Sequence, residues 1–157
     1  MTVLENITYN ELHIDDYATF TKELSEEALV LYAASADDIQ TEDFTLQAAQ
    51  KVIYKDDIGY GIWVKDLIST AFSRVIPGPG SIYLEQELMF KRPVELKDTL
   101  TVKLTVIDKQ AGNLTIFQCE VTNQNAEFVV GGEAKVIAPS EKICLDHTSI
   151  PRVNISN

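Results

Sequence analysis

One short polar segment of the chain carries several carboxylates, a residue type that can do acid–base chemistry. Residues 34–44 carry Asp37, Asp38, Glu42 and Asp43. Two carboxylates a few ångströms apart do not both ionise easily, so one pKa rises and an acid and a base coexist near neutral pH. Such a pair can remove a proton from water and deliver one elsewhere. Equally, these residues can cap and solvate the end of a helix, as Asp usually does in a loop.

Other reactive residue types are sparse. The two histidines, His13 and His147, lie in the two end regions of the chain, and Cys119 and Cys144 have no metal-ligand or redox spacing. Cys119 falls in an alternating pattern and is interpreted as a core or interface residue. We therefore expect no metal or redox cofactor, and a reduced, cytoplasmic setting.

The elements that must position these groups surround a tight break at residues 77–80. Two Pro-Gly pairs occur there, and Pro fixes φ while Gly accepts conformations that other residues avoid. Before the break, residues 61–76 are apolar on most of a helical circumference, which predicts a buried helix. After it, apolar residues fall at even positions with Glu85 and Glu87 between them, which predicts a half-buried strand; they are Ile82, Leu84, Leu88 and Phe90.

Strand patterns dominate the rest of the chain. Alternation predicts strands at 99–106, 114–121 and 128–137, with turns at Gly112 and 123–125 and a bulge at Gly131-Gly132. Near the N-terminus, a turn is expected at Asp15-Asp16, and Ser25 is a predicted N-cap for a helix over 25–35; a second short helix is predicted over 45–54. Strands gathered around one buried helix indicate an α+β domain.

Composition narrows the classes of function. A chain of 157 residues with 45% hydrophobic and 24% charged content is expected to form one soluble domain. The net charge of −11 argues against nucleic acid and anionic membranes as partners, because both demand clustered Lys and Arg. No apolar run approaches the length of a membrane span, and no Lys or Arg precedes Lys22, so no signal peptide is predicted.

The helix, the Pro/Gly corner and the strand that leads into Lys91-Arg92-Pro93-Val94 together resemble the MaoC-like (R)-specific enoyl-CoA hydratases. Within that family the chain is most similar to the hydratase domain of bifunctional enoyl-CoA hydratase/phosphate acetyltransferases. The resemblance implies a hot-dog fold, in which an antiparallel sheet wraps one long central helix, and a role in fatty acid metabolism. It implies a hot-dog domain over residues 1–138 and a tail over 139–157, with the hydratase-like domain standing alone.

The family's catalytic pattern is only partly kept. Its loop Asp falls on Asp37, but its His, five residues later, falls on Glu42. Asp43 is an alternative occupant of the His position, because the segment between this loop and the central helix is one residue longer than expected. Its helix-start motif Ala-His-Gly-Met is replaced by Gly59-Tyr60-Gly61-Ile62, which keeps the oxyanion-donating glycine as Gly61 and places Tyr60 at the His position. A carboxylate thus replaces the imidazole.

Further positions follow from the same resemblance. Ser69 occupies the place of a pocket serine one to two turns into the helix, and Tyr60 and the corner residues Pro79 and Gly80 are also predicted to contact substrate. Arg74, Lys91 and Arg92 are the cations best placed to hold the phosphates of CoA, and Arg92 is the one predicted to contact substrate.

Three functions stay open at this point. The carboxylate pair Asp37 and Glu42 can run hydration of a trans-2-enoyl thioester, with Gly61 as oxyanion donor. Alternatively the domain binds acyl-CoA or an acyl-carrier-protein thioester without turnover, or is purely structural. A third reading is a thioesterase that uses Glu42, Asp37 or Asp66 to direct water at the thioester carbonyl. A homodimer, or a hexamer assembled from such dimers, is expected through pairing of exposed sheet edges.

Overall fold

The computed structural model describes residues 3–28 and 61–146 of the 157-residue chain. Seven strands and one long helix lie in these ranges: β1 (Val3–Glu5), β2 (Tyr17–Glu23), the central helix (Gly61–Arg74), β3 (Ile82–Phe90), β4 (Thr99–Gln110), β5 (Leu114–Thr122), β6 (Phe128–Ile137) and β7 (Cys144–Asp146). The predicted helix over 45–54 and the carboxylate segment lie outside the described residues. No helix in the described ranges is long and apolar enough to cross a membrane.

Five strands form one antiparallel sheet in the order β2-β4-β5-β6-β3, and β1 pairs with β7 in a separate two-stranded ribbon. The central helix packs against the inner face of the large sheet. Its buried side follows helical spacing, because residues three and four apart share a face; the buried residues are Trp63, Val64, Leu67, Ile68, Ala71 and Phe72. The predicted α+β arrangement, a sheet around one long helix, is confirmed.

An aromatic cluster joins the helix to the sheet. The Phe72 ring meets the Phe117 ring of β5 edge to face at 5.1 Å and the Tyr83 ring of β3 at 5.4 Å. Edge-to-face contacts of this kind contribute about 0.5–1.5 kcal/mol beyond the burial of area. The last turn of the helix is therefore held by both the centre and one edge of the sheet.

Local signals at the turns are confirmed. The Ala28 N–H donates to Ser25 Oγ at 3.0 Å, as an N-cap requires. In the β5–β6 turn, Asn123 Oδ1 accepts from the backbone N–H groups of Asn125 and Glu127, both at 3.0 Å. These side chains replace backbone partners that the turn removes, so short polar residues mark the chain reversals.

The strand alternation predicted for β3 is wrong at its beginning. Ile82 and Leu84 are 58% and 55% exposed, whereas Leu88 and Phe90 are half-buried against the core. The register with β6 shifts between Tyr83 and Glu85, so Leu84 is an extra, bulged residue. A bulge reverses the faces of the residues before it. Tyr83, at an odd position, consequently faces the helix.

The bulge predicted at Gly131-Gly132 is also wrong in position. The register shift in β6 lies at Val129, and Gly131 and Gly132 pair regularly with Met89 and Leu88. The two glycines instead allow close approach: a Cβ on Gly132 would overlap the carbonyl oxygen of Glu87, and one on Gly131 would overlap the Phe128 ring. Edge strand β3 therefore lies too near β6 for a side chain at Gly132.

We expect Gly132→Ala to destabilise the fold by about 3 kcal/mol or more, because the new methyl group forces β3 away from β6. Gly112→Ala is the matched control: Gly112 also has positive φ, but no atom lies within 4 Å of its missing Cβ. The control should lose only about 1 kcal/mol of backbone strain. Denaturant unfolding of both variants measures the difference, and equal losses would contradict the close approach.

Candidate active site

The start of the central helix is the described feature most suited to chemistry. The first N–H groups of a helix have no partner within it, and the helix dipole adds positive potential there. The described part of the helix runs from Gly61 to Arg74, and its first turn carries no acidic residue that would neutralise a helix start there. An oxygen that becomes negative during a reaction is stabilised in such a place. Gly61 is the first described residue of the helix, and its role as oxyanion donor stays a prediction.

Asp37, Glu42, Asp43 and Tyr60 lie outside the described residues. Their proximity to Gly61 stays a prediction.

Ser69 lies on the exposed side of the central helix, away from the sheet. It shares that side with Asp66 and Ser73, which are also exposed. Eight residues of helix separate it from Gly61, about 12 Å along the axis at the usual rise. Partial burial raises the pKa of Asp66 even though much of its side chain is exposed. This side of the helix is therefore its polar, exposed side.

The corner residues lie at the opposite end of the helix from Gly61. The Gly78 N–H donates to the carbonyl of Phe72 at 2.9 Å, which fixes the corner beside the last turn. Phe72 is eleven residues from Gly61, about 16 Å along the axis. Pro79 is buried, and its carbonyl accepts a 3.0 Å hydrogen bond from the Asn6 side chain. Within one chain, Pro79 and Gly80 are therefore remote from the helix start.

Arg92 lies beyond the far end of β3 from Gly80. Nine strand residues separate the two positions, about 27 Å at the usual rise. Its guanidinium Nη1 lies 3.3 Å from Glu127 Oε1, and both side chains are partly exposed. The structure therefore does not bring Arg92, Ser69 and the corner into one compact cluster within a single chain.

Sequence patterns missed a polar pair that the bulge in β3 places on the inner face. The Tyr83 hydroxyl donates to Gln86 Oε1. Burial, and next the nearby Cys119 thiol, raise the pKa of Tyr83, so its hydroxyl stays protonated and acts as the donor. Three residues apart in a regular strand, these side chains would face opposite ways. No local sequence signal marks the extra residue that turns them together.

Comparisons with known proteins agree on one group. No family model matches the chain. The chain is 30% identical over 123 residues to an (R)-specific enoyl-CoA hydratase of Rhodospirillum rubrum, covering 78% of this chain and 85% of that protein. Among solved structures, the unliganded R-hydratase PhaJ1 of Pseudomonas aeruginosa has a TM-score of 0.83 at 37% identity, covering 99% of this chain and all of that one. The (R)-hydratase from A. caviae involved in PHA biosynthesis has a TM-score of 0.66 at 26% identity, over 82% of this chain and 98% of that one.

The two thiols should differ sharply in reactivity. Burial raises the pKa of the Cys119 thiol to about 12, whereas Cys144 is exposed on β7. Because the thiolate is the reactive form, a disulfide reagent should label only Cys144 in the native protein and both cysteines in denaturant. Cys144→Ser should leave the native protein unlabelled. Rapid native labelling of Cys144→Ser would show that the core around Cys119 is open.

Proposed function

Because the chain belongs to the MaoC-like (R)-specific enoyl-CoA hydratase family, we propose that it adds water to trans-2-enoyl-CoA to form 3-hydroxyacyl-CoA. The observation that carries the proposal is the similarity to PhaJ1, which extends over nearly the whole length of both chains. The described helix start supports it, because hydration passes through an enolate whose oxygen needs a donor.

The proposed reaction assigns a role to each part of the site. The oxygen of water attacks C3 of the enoyl group while a carboxylate removes one of its protons. The electron pair of the double bond moves to form an enolate on the thioester oxygen, which accepts a hydrogen bond from the Gly61 N–H. A carboxylic acid then protonates C2, and the enolate returns to the thioester.

We assign the base and the acid to Asp37 and Glu42. A pair of carboxylates can divide these roles because proximity raises the pKa of one of them. With Glu42 at the His position, the neutral partner would be a carboxylic acid instead of an imidazole. Ser69 and Tyr60 are proposed to contact substrate, and Arg92 would exchange Glu127 for a phosphate when CoA binds. Pro79 and Gly80 keep a predicted role at the substrate site only if the partner subunit brings them to it.

A second candidate function is binding of acyl thioesters without turnover. The family has His at two positions where this chain has Glu42 and Tyr60. The replacement of both imidazoles favours binding without turnover. The carrier can be CoA or acyl carrier protein in either case. Both functions require binding of an acyl thioester, and only the first requires turnover. Measuring turnover and binding on the same protein therefore separates them.

We expect purified protein to hydrate crotonyl-CoA, measured as loss of the enoyl thioester absorbance. Asp37→Asn and Glu42→Gln should each lower kcat by about 100-fold or more, because each removes a proton-transfer group, and leave the melting temperature little changed. Asp38→Asn is the matched control, since Asp38 has no assigned role, and its kcat should stay within about twofold of wild type. Full activity in both site variants would overturn the assignment.

If wild type shows no turnover, the binding function predicts that acyl-CoA raises the melting temperature by mass action. Glu42→His combined with Tyr60→His should then create activity by restoring the imidazoles. Both candidate functions would be contradicted if acyl-CoA did not raise the melting temperature and the double substitution produced no activity.

We also propose that the protein is a homodimer that pairs through the edge strand β3. This edge exposes apolar side chains, Ile82, Leu84 and Met89, the last 60% exposed. Both edge strands carry charged residues, Lys22 and Glu23 on β2 and Glu85 and Glu87 on β3, so the exposed apolar residues of β3 are what favours pairing there. Further assembly to a hexamer would use other surfaces.

Sedimentation should give a dimer at micromolar concentration, and Leu84→Lys should shift it towards monomer by placing two like charges at the edge. Ile107→Lys is the matched control, because Ile107 is an exposed apolar residue on the interior strand β4. A dimer that resists Leu84→Lys would mean that subunits pair elsewhere.

A further inference from the structure

The side chain of Asn6 joins three distant segments of the chain. Its Nδ2 donates to the carbonyls of Pro79 at 3.0 Å and Glu141 at 2.9 Å, and its Oδ1 accepts from the Ile143 N–H at 2.9 Å. Asn6 is 1% exposed. A buried amide is costly unless it is hydrogen-bonded, and here both of its donor hydrogens and its oxygen are engaged. Asn6 is therefore a fully bonded anchor.

The backbone around Asn6 holds the same segments. The Asn6 N–H donates to the Ile143 carbonyl at 3.2 Å, and the Ile7 N–H donates to the Pro77 carbonyl at 2.7 Å. Lys142 Nζ donates to the Asn6 carbonyl at 2.7 Å. We call residues 3–12 and 138–146, which meet here, the terminal clasp. Through Asn6 and Ile7, the clasp is hydrogen-bonded to the corner 77–80.

Charges on the surface secure the clasp. Lys142 Nζ lies 3.2 Å from Glu5 Oε1 and 3.0 Å from Glu11 Oε2. Hydrogen bonds from Thr8 and Lys142 lower the pKa of Glu11 to about 2, and those from Lys142 to Glu11 raise the pKa of Lys142. Both groups consequently stay charged at any ordinary pH. These exposed pairs add little energy each, so the buried Asn6 amide is the specific contact.

The corner 77–80 connects the clasp to the edge strand β3. Gly80 packs so closely on the clasp that a Cβ there would lie 2.8 Å from Ile143 Cδ1 and 3.2 Å from Pro139 Cβ. Ser81 donates from both N and Oγ to the Gly78 carbonyl, and β3 begins at the next residue, Ile82. Two of the three exposed apolar residues of the edge, Ile82 and Leu84, lie within five residues of Pro79. The clasp thus fixes the position and direction of the first residues of β3.

We propose that Asn6 is a positioning residue for subunit pairing. By holding the Pro79 carbonyl, its amide aligns the first residues of β3 so that a second copy of this chain can pair along the edge. This inference rests on the proposed dimer. It extends the proposed dimer by stating that Asn6, a residue of the N-terminal segment that lies outside the interface, aligns the strand through which the subunits pair.

Asn6→Asp tests this with an almost isosteric change. The new carboxylate keeps the acceptor for Ile143 but loses both donors and faces the carbonyl oxygens of Pro79 and Glu141. At about pH 8 the dimer dissociation constant should rise about tenfold or more. Burial beside two carbonyls raises the pKa of a carboxyl group, so at about pH 5 its proton should restore one donor and much of the pairing.

The charged residues of the clasp are Glu5, Glu11, Glu141, Lys142 and Asp146. Wild type measured at both pH values accounts for their contribution. Asn125→Asp is the matched control, because Asn125 is exposed in a turn and contributes only its backbone N–H. It should leave the dissociation constant unchanged at both pH values.

Sedimentation over a concentration series gives the dissociation constant, and circular dichroism at the same temperature reports folding. A folded Asn6→Asp protein that pairs like wild type, or one that loses only melting temperature, would overturn the role of Asn6. A monomeric wild type would overturn the dimer itself. If Asn6→Asp does not fold, Asn6→Ser decides, because it shortens the side chain and removes the amide donors to Pro79 and Glu141 without adding a charge: a folded protein with weaker pairing supports the proposal, and unchanged pairing refutes it.

Discussion

Packing of the apolar side of the central helix against the sheet is the interaction on which the rest of this structure depends. Each large apolar side chain buried there contributes about 1.5–3 kcal/mol. Phe72 has a special place because it contacts Phe117 in the middle of the sheet and Tyr83 at its edge. The same contact fixes the helix along its axis, and the helix start at Gly61 is held by a rigid element as a result. Hydrogen-bond donors for a reacting oxygen need that rigidity, since they act by being positioned in advance.

The parts of the fold that were predictable from sequence are those specified by neighbouring residues. Helical spacing from Trp63 to Phe72 and alternation along β4 and β5 are local patterns, and polar caps such as Ser25 and Asn123 act on residues two to four positions away. The bulge at Leu84 was not predictable from sequence. Apolar residues still alternate along the sequence there, but the extra residue makes those before it face the opposite side of the sheet. Gly131 and Gly132 were misread for a related reason: their role is set by strand β3, far away in sequence.

The candidate site was predictable to a smaller extent. The central helix follows from the apolar run after Gly61, and Gly61 is the first of its described residues. The partner of Arg92, by contrast, is Glu127, which comes from another strand connection, and surface ion pairs leave no pattern in either segment. Asn6 shows the limit most clearly, since its side-chain partners are 73 to 137 residues away. A residue whose function is to join remote segments carries no local signal.

The ribbon of β1 and β7 has a consequence for how this domain can be connected to other sequences. Val3 lies directly opposite Asp146, so the two ends of the described fold are neighbours in space. A short flexible linker could join them and allow new termini to be opened at an exposed turn, such as the one at Gly112. Adjacent ends also mean that the whole domain could be inserted into a loop of another protein without separating the two sides of that loop. The fold is thus suited to modular reuse, because both of its attachment points lie at one place.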